Sequence, residues 1–466
     1  MGTGRTGQSR AASRERFSVP GTTGETGVSS GIAPCKYYRW RMQREGYRNR
    51  RNRFAGAARA SGICALALAL WFDGAGVAGP IAPAELYAAL SSAQGGERIE
   101  LAGGDYGSLD IRGVTFPSDV TIVSADPENP AVIRGVYLRD SSHLVFDGIL
   151  FDYVAEPGDA PWVKPFIVRD STFITIRNSV FDGAEVPSAT GIGEYGTGFG
   201  LRVQGSDNIT VENNEFFEFY KAFVALLSSN ITVNANDVHT ISGDIFNFVS
   251  VDGLLVEGNW LHDFKIDPTS GNHPDMIQLW TSPGEEPVQN VIIRGNFLDA
   301  GTGNWTQSIF MANPGEPFLN ILIEDNVIYN DHLHGITVGL TDGLVIRNNT
   351  LLHDPSTISP LGWPPRIILA ESSLNVTVES NITADVWNWD AMTGQPGWTV
   401  GNNLLVQYDG PGRRNYYLKL FTNALGQDSD LADLRALPGG LIETLGLGAE
   451  MTRTDIDITL DVGPAR

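Results

Sequence analysis

Cysteine is almost missing from this chain: there are two in 466 residues, Cys35 and Cys64, both near the N-terminus. A disulfide framework or a cysteine-rich metal site is therefore excluded for most of the length. Long apolar runs are missing too. The run from about Ile63 to Phe72 is too short for a bilayer, which takes about 20 residues of helix. Positive charge is the third scarcity. Residues 1–59 hold thirteen of the 32 Lys and Arg but only three of the 54 Asp and Glu, so the remainder carries 19 basic against 51 acidic side chains, near −32. Such a body repels nucleic acid and anionic membranes, and no nucleic-acid partner is expected. A polyanionic ligand would need a local basic patch or a bridging cation such as calcium.

Residues 1–78 read as a basic extension followed by a signal peptide. RNRRNRF supplies the Arg-rich start, Ile63 to Phe72 the apolar segment, and Gly76-Val77-Ala78 the small residues suited to cleavage. A secreted or periplasmic protein is expected, with no stable membrane span and no cysteine once the segment is removed.

What is abundant is a repeat. Apolar, any, apolar, two residues, Asn, any, apolar recurs as ITVENNEF (Asn214), ITVNANDV (Asn236), LLVEGNWL (Asn259), VIIRGNFL (Asn296), ILIEDNVI (Asn326), LVIRNNTL (Asn349), VTVESNIT (Asn381) and TVGNNLL (Asn403). Two earlier copies put Ile149 and Ser179 at the Asn position, and the shortest interval between copies is 22 residues. Alternation of period two around each Asn means short strands, and a repeat of this length suits a parallel β-helix rather than a helical array. Asn tolerates a left-handed turn and its amide can bond the next coil, so these residues read as structural. The expectation is an all-β, single-stranded parallel β-helix of roughly ten coils over 79–420, with a C-terminal cap or tail over 421–466. IAPAELYAALSSA, from Ile81 to Ala93, is read as a helix capping the open N-terminal end.

A second strand precedes each Asn strand. Aligning the copies puts Phe166, Leu201, Phe223, Ile245, Ile277, Ile309, Ile336 and Ile367 in one inward column, with their neighbours facing outward. The outward set is Arg202 and Gln204, Lys221, Asp244, Asp275 and Gln278, Gln307, His334 and Arg366, with His273, Asn304 and His332 just before their strands. At about 4.8 Å per coil, Lys221 to Arg366 covers roughly 24 Å, the length of a groove rather than of a small-molecule pocket.

AELYAALSSAQGGERIELAGGDYG resembles the N-terminal cap and first coil of secreted right-handed parallel β-helix proteins of the pectate-lyase-like superfamily, which includes polysaccharide lyases and uronan epimerases. The resemblance covers about residues 81 to 420 as architecture and implies a right-handed coil. It carries no catalytic motif: NHPD is similar in content to the Asp-Pro-His-Glu motif of alginate epimerases but differs in order, and no role is taken from it.

Elimination and C5 epimerisation of a uronic acid both need the carboxylate neutralised, a base for the C5 proton, and a proton donor. His273 or His334 supplies an imidazole base, with Asp275 beside it. Lys221, Arg366, Gln278 or a bound calcium neutralises the carboxylate. Arg202, Gln307, His332, Trp280 and Trp305 contact the polysaccharide, and Trp363 joins them as a stacking platform. Two readings compete. Asp244 and Asp275, one coil apart, are the carboxyl pair of a glycoside hydrolase, or the chain is a non-catalytic carbohydrate-binding surface protein. Loop-ordering roles for His273 and His332, and plain surface roles for Lys221 and Arg366, stand beside these assignments.

Overall fold

The computed structural model describes residues 79–453, apart from 272, 302, 305, 314–315, 358–361, 388–394, 396 and 427–428. The signal-like segment, Trp305 and the expected last strand TDIDITLD lie outside the described residues.

Each coil contributes three short strands, and each stacks on its counterpart in the next coil to give three long parallel sheets. The site sheet has 11 strands, from Ser108–Arg112 to Val386–Trp387. The ladder sheet has 12, from Arg98–Leu101 to Trp398–Gly401, and the flank sheet has 12, ending at Leu404–Leu405. The fold is a right-handed parallel β-helix with slightly more coils than the roughly ten expected from the Asn copies, because the first coils carry no Asn. The cap forms at the expected place: Pro83–Glu85 and Leu86–Ser92 are helical, and Leu86 and Leu90 are buried. Among the described residues no helix is long and apolar enough to cross a membrane.

The interior is filled by columns of apolar side chains, one per coil. Phe151, Phe181 and Phe216 stack at 4.4 and 4.2 Å between ring centroids. Each such side chain removed from water contributes about 1.5–3 kcal/mol. After the last coil the chain does not leave. Val406, Tyr417, Phe421, Leu434 and Ile442 lie against Phe297, Val327, Tyr329 and Leu352 on the outer side of the flank sheet.

The Asn residues form a ladder at the corner between ladder and flank sheets. Asn296 Oδ1 accepts the backbone N–H of Asn259 at 3.0 Å and its Nδ2–H at 2.9 Å, while Asn296 Nδ2 donates to Asn326 Oδ1 at 2.9 Å and Val256 O at 3.0 Å. Ser179 takes the same place in the rung below, its N–H donating to Asn214 Oδ1. One expectation is corrected: the left-handed residue is not the ladder Asn but the one before it, such as Asn213, Ala235, Gly258 or Asp325. The turn needs the positive φ one residue early so that the Asn can point inward. A second ladder, of Ser141, Ser171, Ser206 and Ser228, ties the site sheet to the ladder sheet through N–H to Oγ bonds.

The inward column of the site sheet is as aligned except at one coil. Phe246, not Ile245, pairs with Phe223 below and Ile277 above. Both residues are fully buried because the chain bends at the start of the strand, so two consecutive side chains face the core. The one-residue slip moves Asp244 into register with Lys221 and Asp275.

Replacing Asn296 with Ala strands the N–H and amide of Asn259 in the interior. We expect a loss of about 3 kcal/mol, read as a lower denaturant midpoint, whereas Glu286→Ala on an exposed loop changes the midpoint little.

Candidate functional site

The bend that opens each strand of the site sheet leaves one residue per coil on the outer face. In order these are Lys221, Asp244, Asp275, Gln307, His334 and Arg366, in strands that pair successively. A second outward row, three residues after the first, carries Arg202, Val224, Asn247, Gln278, Phe310 and Thr337.

In the middle of the face these rows join. Lys221 Nζ donates to Asp244 Oδ2 at 2.5 Å, and Asn247 Nδ2 donates to the same oxygen at 3.0 Å. Asn247 Nδ2 also bonds Gln278 Oε1, whose Nε2 donates to Asp275 Oδ2 at 2.6 Å. Asp244 Oδ1 accepts the backbone N–H of Asp275 at 3.1 Å, and Trp280 Nε1 donates to Asn247 Oδ1 at 3.4 Å. Asn247 thus bonds three of the expected residues, Asp244, Gln278 and Trp280, and sequence reading missed it. The slip at Ile245 had turned it inward.

Asp275 is 1% exposed. Burial, then the neighbouring Asp244 carboxylate, push its carboxyl up to about 9, against smaller opposing effects of Gln278 and Lys221. It therefore holds a proton at neutral pH. Its Oδ1 is buried with no hydrogen-bond acceptor or donor assigned, and so is Oε1 of Gln307, its ladder partner. A proton on Oδ1 is the donor that this pair of acceptor oxygens calls for.

One coil beyond Gln307, the imidazoles gather. The backbone N–H of His334 donates to His332 Nδ1 at 3.2 Å, so the His332 proton sits on Nε2. The two rings lie 5.2 Å apart, and Phe310 stands edge-on to His334 at 5.3 Å. Burial, followed by the charge of His334, pulls His332 down to about 4, and burial lowers His334 as well. Both are neutral imidazoles at pH 7. His334 Nδ1 is held by Thr337 Oγ1 at 2.8 Å, which leaves Nε2 for proton transfer. His273 is exposed and lies close enough to act electrostatically on His332.

Arg366 is brought opposite His334 by a bulge. His334 pairs with Arg366 and Ile336 with Ile367, so Gly335 is the extra residue. A Cβ at Gly335 would lie 2.7 Å from Leu351 Cδ2 and 2.8 Å from Pro365 Cβ, so the close approach needs glycine. The guanidinium is loosely held, with Asp385 at 3.8 Å and the exposed Trp363 ring at 5.8 Å. The alignment had put Arg366 beside Gly335, since a bulge leaves no mark in apolar alternation.

Arg202 stands apart from this centre. Its Nη2 donates to Gln204 Oε1 at 2.9 Å, and burial and then Arg169 lower its pKa. Lys164, which sequence reading did not single out, is lowered by burial and then by Arg202. Among the described residues neither cation has a carboxylate partner. Of the 19 basic residues beyond residue 59, seven lie on or beside the site sheet: Arg112, Arg139, Lys164, Arg169, Arg202, Lys221 and Arg366.

For calcium, the carboxylate pair is unsuited: Lys221 already meets Asp244 and Asp275 carries a proton. Among the described residues no three His, Cys, Asp or Glu side chains form a group able to hold a metal ion. A further imidazole, His262, is buried on the flank sheet. Burial opposes its charge, but Asp237 at 2.8 Å and Asp263 at 2.9 Å hold it protonated, up to about 10. It is a fixed cation away from the outer face of the site sheet.

Residues 134–351 match the family model described as the right handed beta helix region. No curated protein matches the chain. Among solved structures, an alginate lyase from Paenibacillus sp. str. FPU-7 is 13% identical over 62% of this chain and 97% of its own, with a TM-score of 0.39. A PL6 alginate lyase in complex with trisaccharide is 12% identical over 82% and 92%, with a TM-score of 0.42. PfbA, a surface adhesin of Streptococcus pneumoniae, is 14% identical over 69% and 86%, with a TM-score of 0.37. At such identities no residue's role transfers.

The proton on Asp275 has a measurable consequence. Between about pH 4 and about pH 9 the folded chain holds a proton that the unfolded chain has lost, so stability falls as pH rises through that window. Asp275→Asn keeps the shape without the titration. Its stability relative to the parent should grow from about pH 5 to about pH 8 by on the order of 1 kcal/mol per pH unit, measured by denaturant unfolding of both proteins.

Proposed function

We propose that the outer face of the site sheet binds a uronic-acid polysaccharide along the coil axis and that the His334–Arg366 pair carries out β-elimination on it. The supporting observation is the bulge at Gly335, which sets a neutral imidazole opposite a loosely held guanidinium at the end of a row of polar groups. Arg366 neutralises the uronate carboxylate and so acidifies the C5 proton. Nε2 of His334 takes that proton. The electron pair forms the C4–C5 double bond as the C4–O bond breaks, and the imidazolium returns its proton to the departing oxygen. The unpaired Arg202, five coils from His334, and Lys164, one coil further, suit carboxylates further along the same polymer. Delivery of a proton to the opposite face of C5 by a second donor instead, with His334 keeping the proton it took, would make the same site an epimerase. A secreted or periplasmic location suits such a substrate.

The second reading, a glycoside hydrolase using Asp244 and Asp275, is favoured by the protonated Asp275 beside an Asp244 that pairs with Lys221. It is opposed by Asp275's burial: its Oδ2 is bonded to Gln278, and a sugar oxygen has no path to its proton.

A panel of polyuronates tests both. Elimination gives the ultraviolet absorbance of an unsaturated uronide. New reducing ends without it mean hydrolysis, and binding with neither product and no change at C5 means a carbohydrate-binding protein. His334→Ala and Arg366→Ala should each lower kcat/KM by about 100-fold or more, and full activity in either variant would overturn the assignment. Because burial lowers His334 and its neutral form is the base, the acid limb of kcat/KM should lie below the ordinary imidazole value of about 6.5.

A further inference from the structure

The outer face of the ladder sheet bears a groove of about 570 Å³ unrelated to the residues above. Its edge is the corner where each coil enters the ladder sheet, a position that is left-handed in every coil from His143 onward. From Asn208 to Gly397 every coil fills that position with Asn or Gly, the residues that tolerate it. The two coils before them do not: His143 has φ 58° and Phe173 has φ 54°. A phenylalanine in this conformation is strained, and it gains no burial in return, being 47% exposed. Its ring stacks on His143 at 4.6 Å and 13°, and His143 Nδ1 is anchored to Asp119 Oδ1 at 2.9 Å. The result is a rigid, outward aromatic platform at one end of the groove.

The floor beyond the platform is Thr175, Thr210 and Thr232 on successive coils, followed by Leu255 and Ile292. Asn208, Asn230 and Asn290 edge it, their amides drawn to Asp207 and Asp252. Among the described residues no Lys or Arg lines the groove; Asp119 does, Asp207 and Asp252 lie behind its Asn edge, and the Arg177 and Arg294 that follow the floor column are held by Asp147 and Glu257. Ring face, hydroxyls and amide oxygens beside acidic edges fit an uncharged sugar chain and reject a polyuronate.

We infer that this groove is a second glycan site, binding a neutral polysaccharide along the coil axis with Phe173 stacked on a sugar ring. The site is independent of the uronate reading of the site sheet.

The test is Phe173→Asn, which installs the residue that later coils use. Retention of the full chain on a panel of insoluble neutral polysaccharides, and affinity for the soluble oligosaccharide of the one retained, are measured together with Tm. The expected result is retention by at least one neutral polysaccharide, a fall in affinity of about tenfold or more in the variant, and a Tm unchanged or raised because strain is relieved. His334→Ala should bind as the parent does. No retention on any neutral polysaccharide overturns the proposal, as does unchanged affinity in Phe173→Asn. A markedly lower Tm in that variant would make the ring a packing element, and a dimer lost on the substitution would make the groove a self-association surface. Either also overturns it.

Discussion

From Asn214 to Asn403 every coil buries a polar corner, and the asparagine ladder is what makes that tolerable. A turn between two strands leaves backbone groups inside the solenoid with no sheet partner. One amide per coil answers both needs at once: its oxygen accepts the N–H of the rung below and its nitrogen reaches the rung above and a strand carbonyl. The ladder repeats at the strand spacing of about 4.8 Å that backbone pairing sets. The outward rows share that ruler, so Lys221, Asp244, Asp275, Gln307, His334 and Arg366 follow one another strand by strand.

The ladder was also what made the fold legible, since a buried amide at a fixed place among alternating apolar residues marks the sequence plainly. The site was legible only in part. Strand alternation names the inward residues when one apolar residue competes for a position, but at Ile245-Phe246 two do, and the bend lets both be buried. The alignment chose the wrong one and lost Asn247, the residue that joins Asp244, Gln278 and Trp280 through hydrogen bonds. At Gly335 the obstacle differs. A bulge adds a residue without disturbing hydrophobic order, so the pairing of His334 with Arg366 could not be read from the strand sequences.

Burial gives the outer face its chemistry. In water, Asp275 would be ionised and His334 half protonated near pH 6.5. In the groove wall, desolvation disfavours both charged forms, leaving a neutral acid and a neutral base a few coils apart. The body's large negative charge acts in the opposite sense on cations, and Arg and Lys pair with neighbouring carboxylates over most of the surface. Among the described residues, Lys164 and Arg202 escape carboxylate pairing on or beside the site sheet and Arg366 is weakly held there, while Arg413, Arg414, Lys419, Arg435 and Arg453 escape it in the C-terminal segment.

The ladder sheet has the same geometry and different contents. Its outward columns hold threonines and aliphatic residues, edged on one side by amides and on the other by a row of paired Arg and Glu such as Arg294–Glu257 and Arg347–Glu324. Phe173 stands at one end of these columns. Packing has no use for a strained, exposed ring where eight following coils use Asn or Gly, and a residue that costs the fold energy without being buried is explained by what it presents to the solvent side.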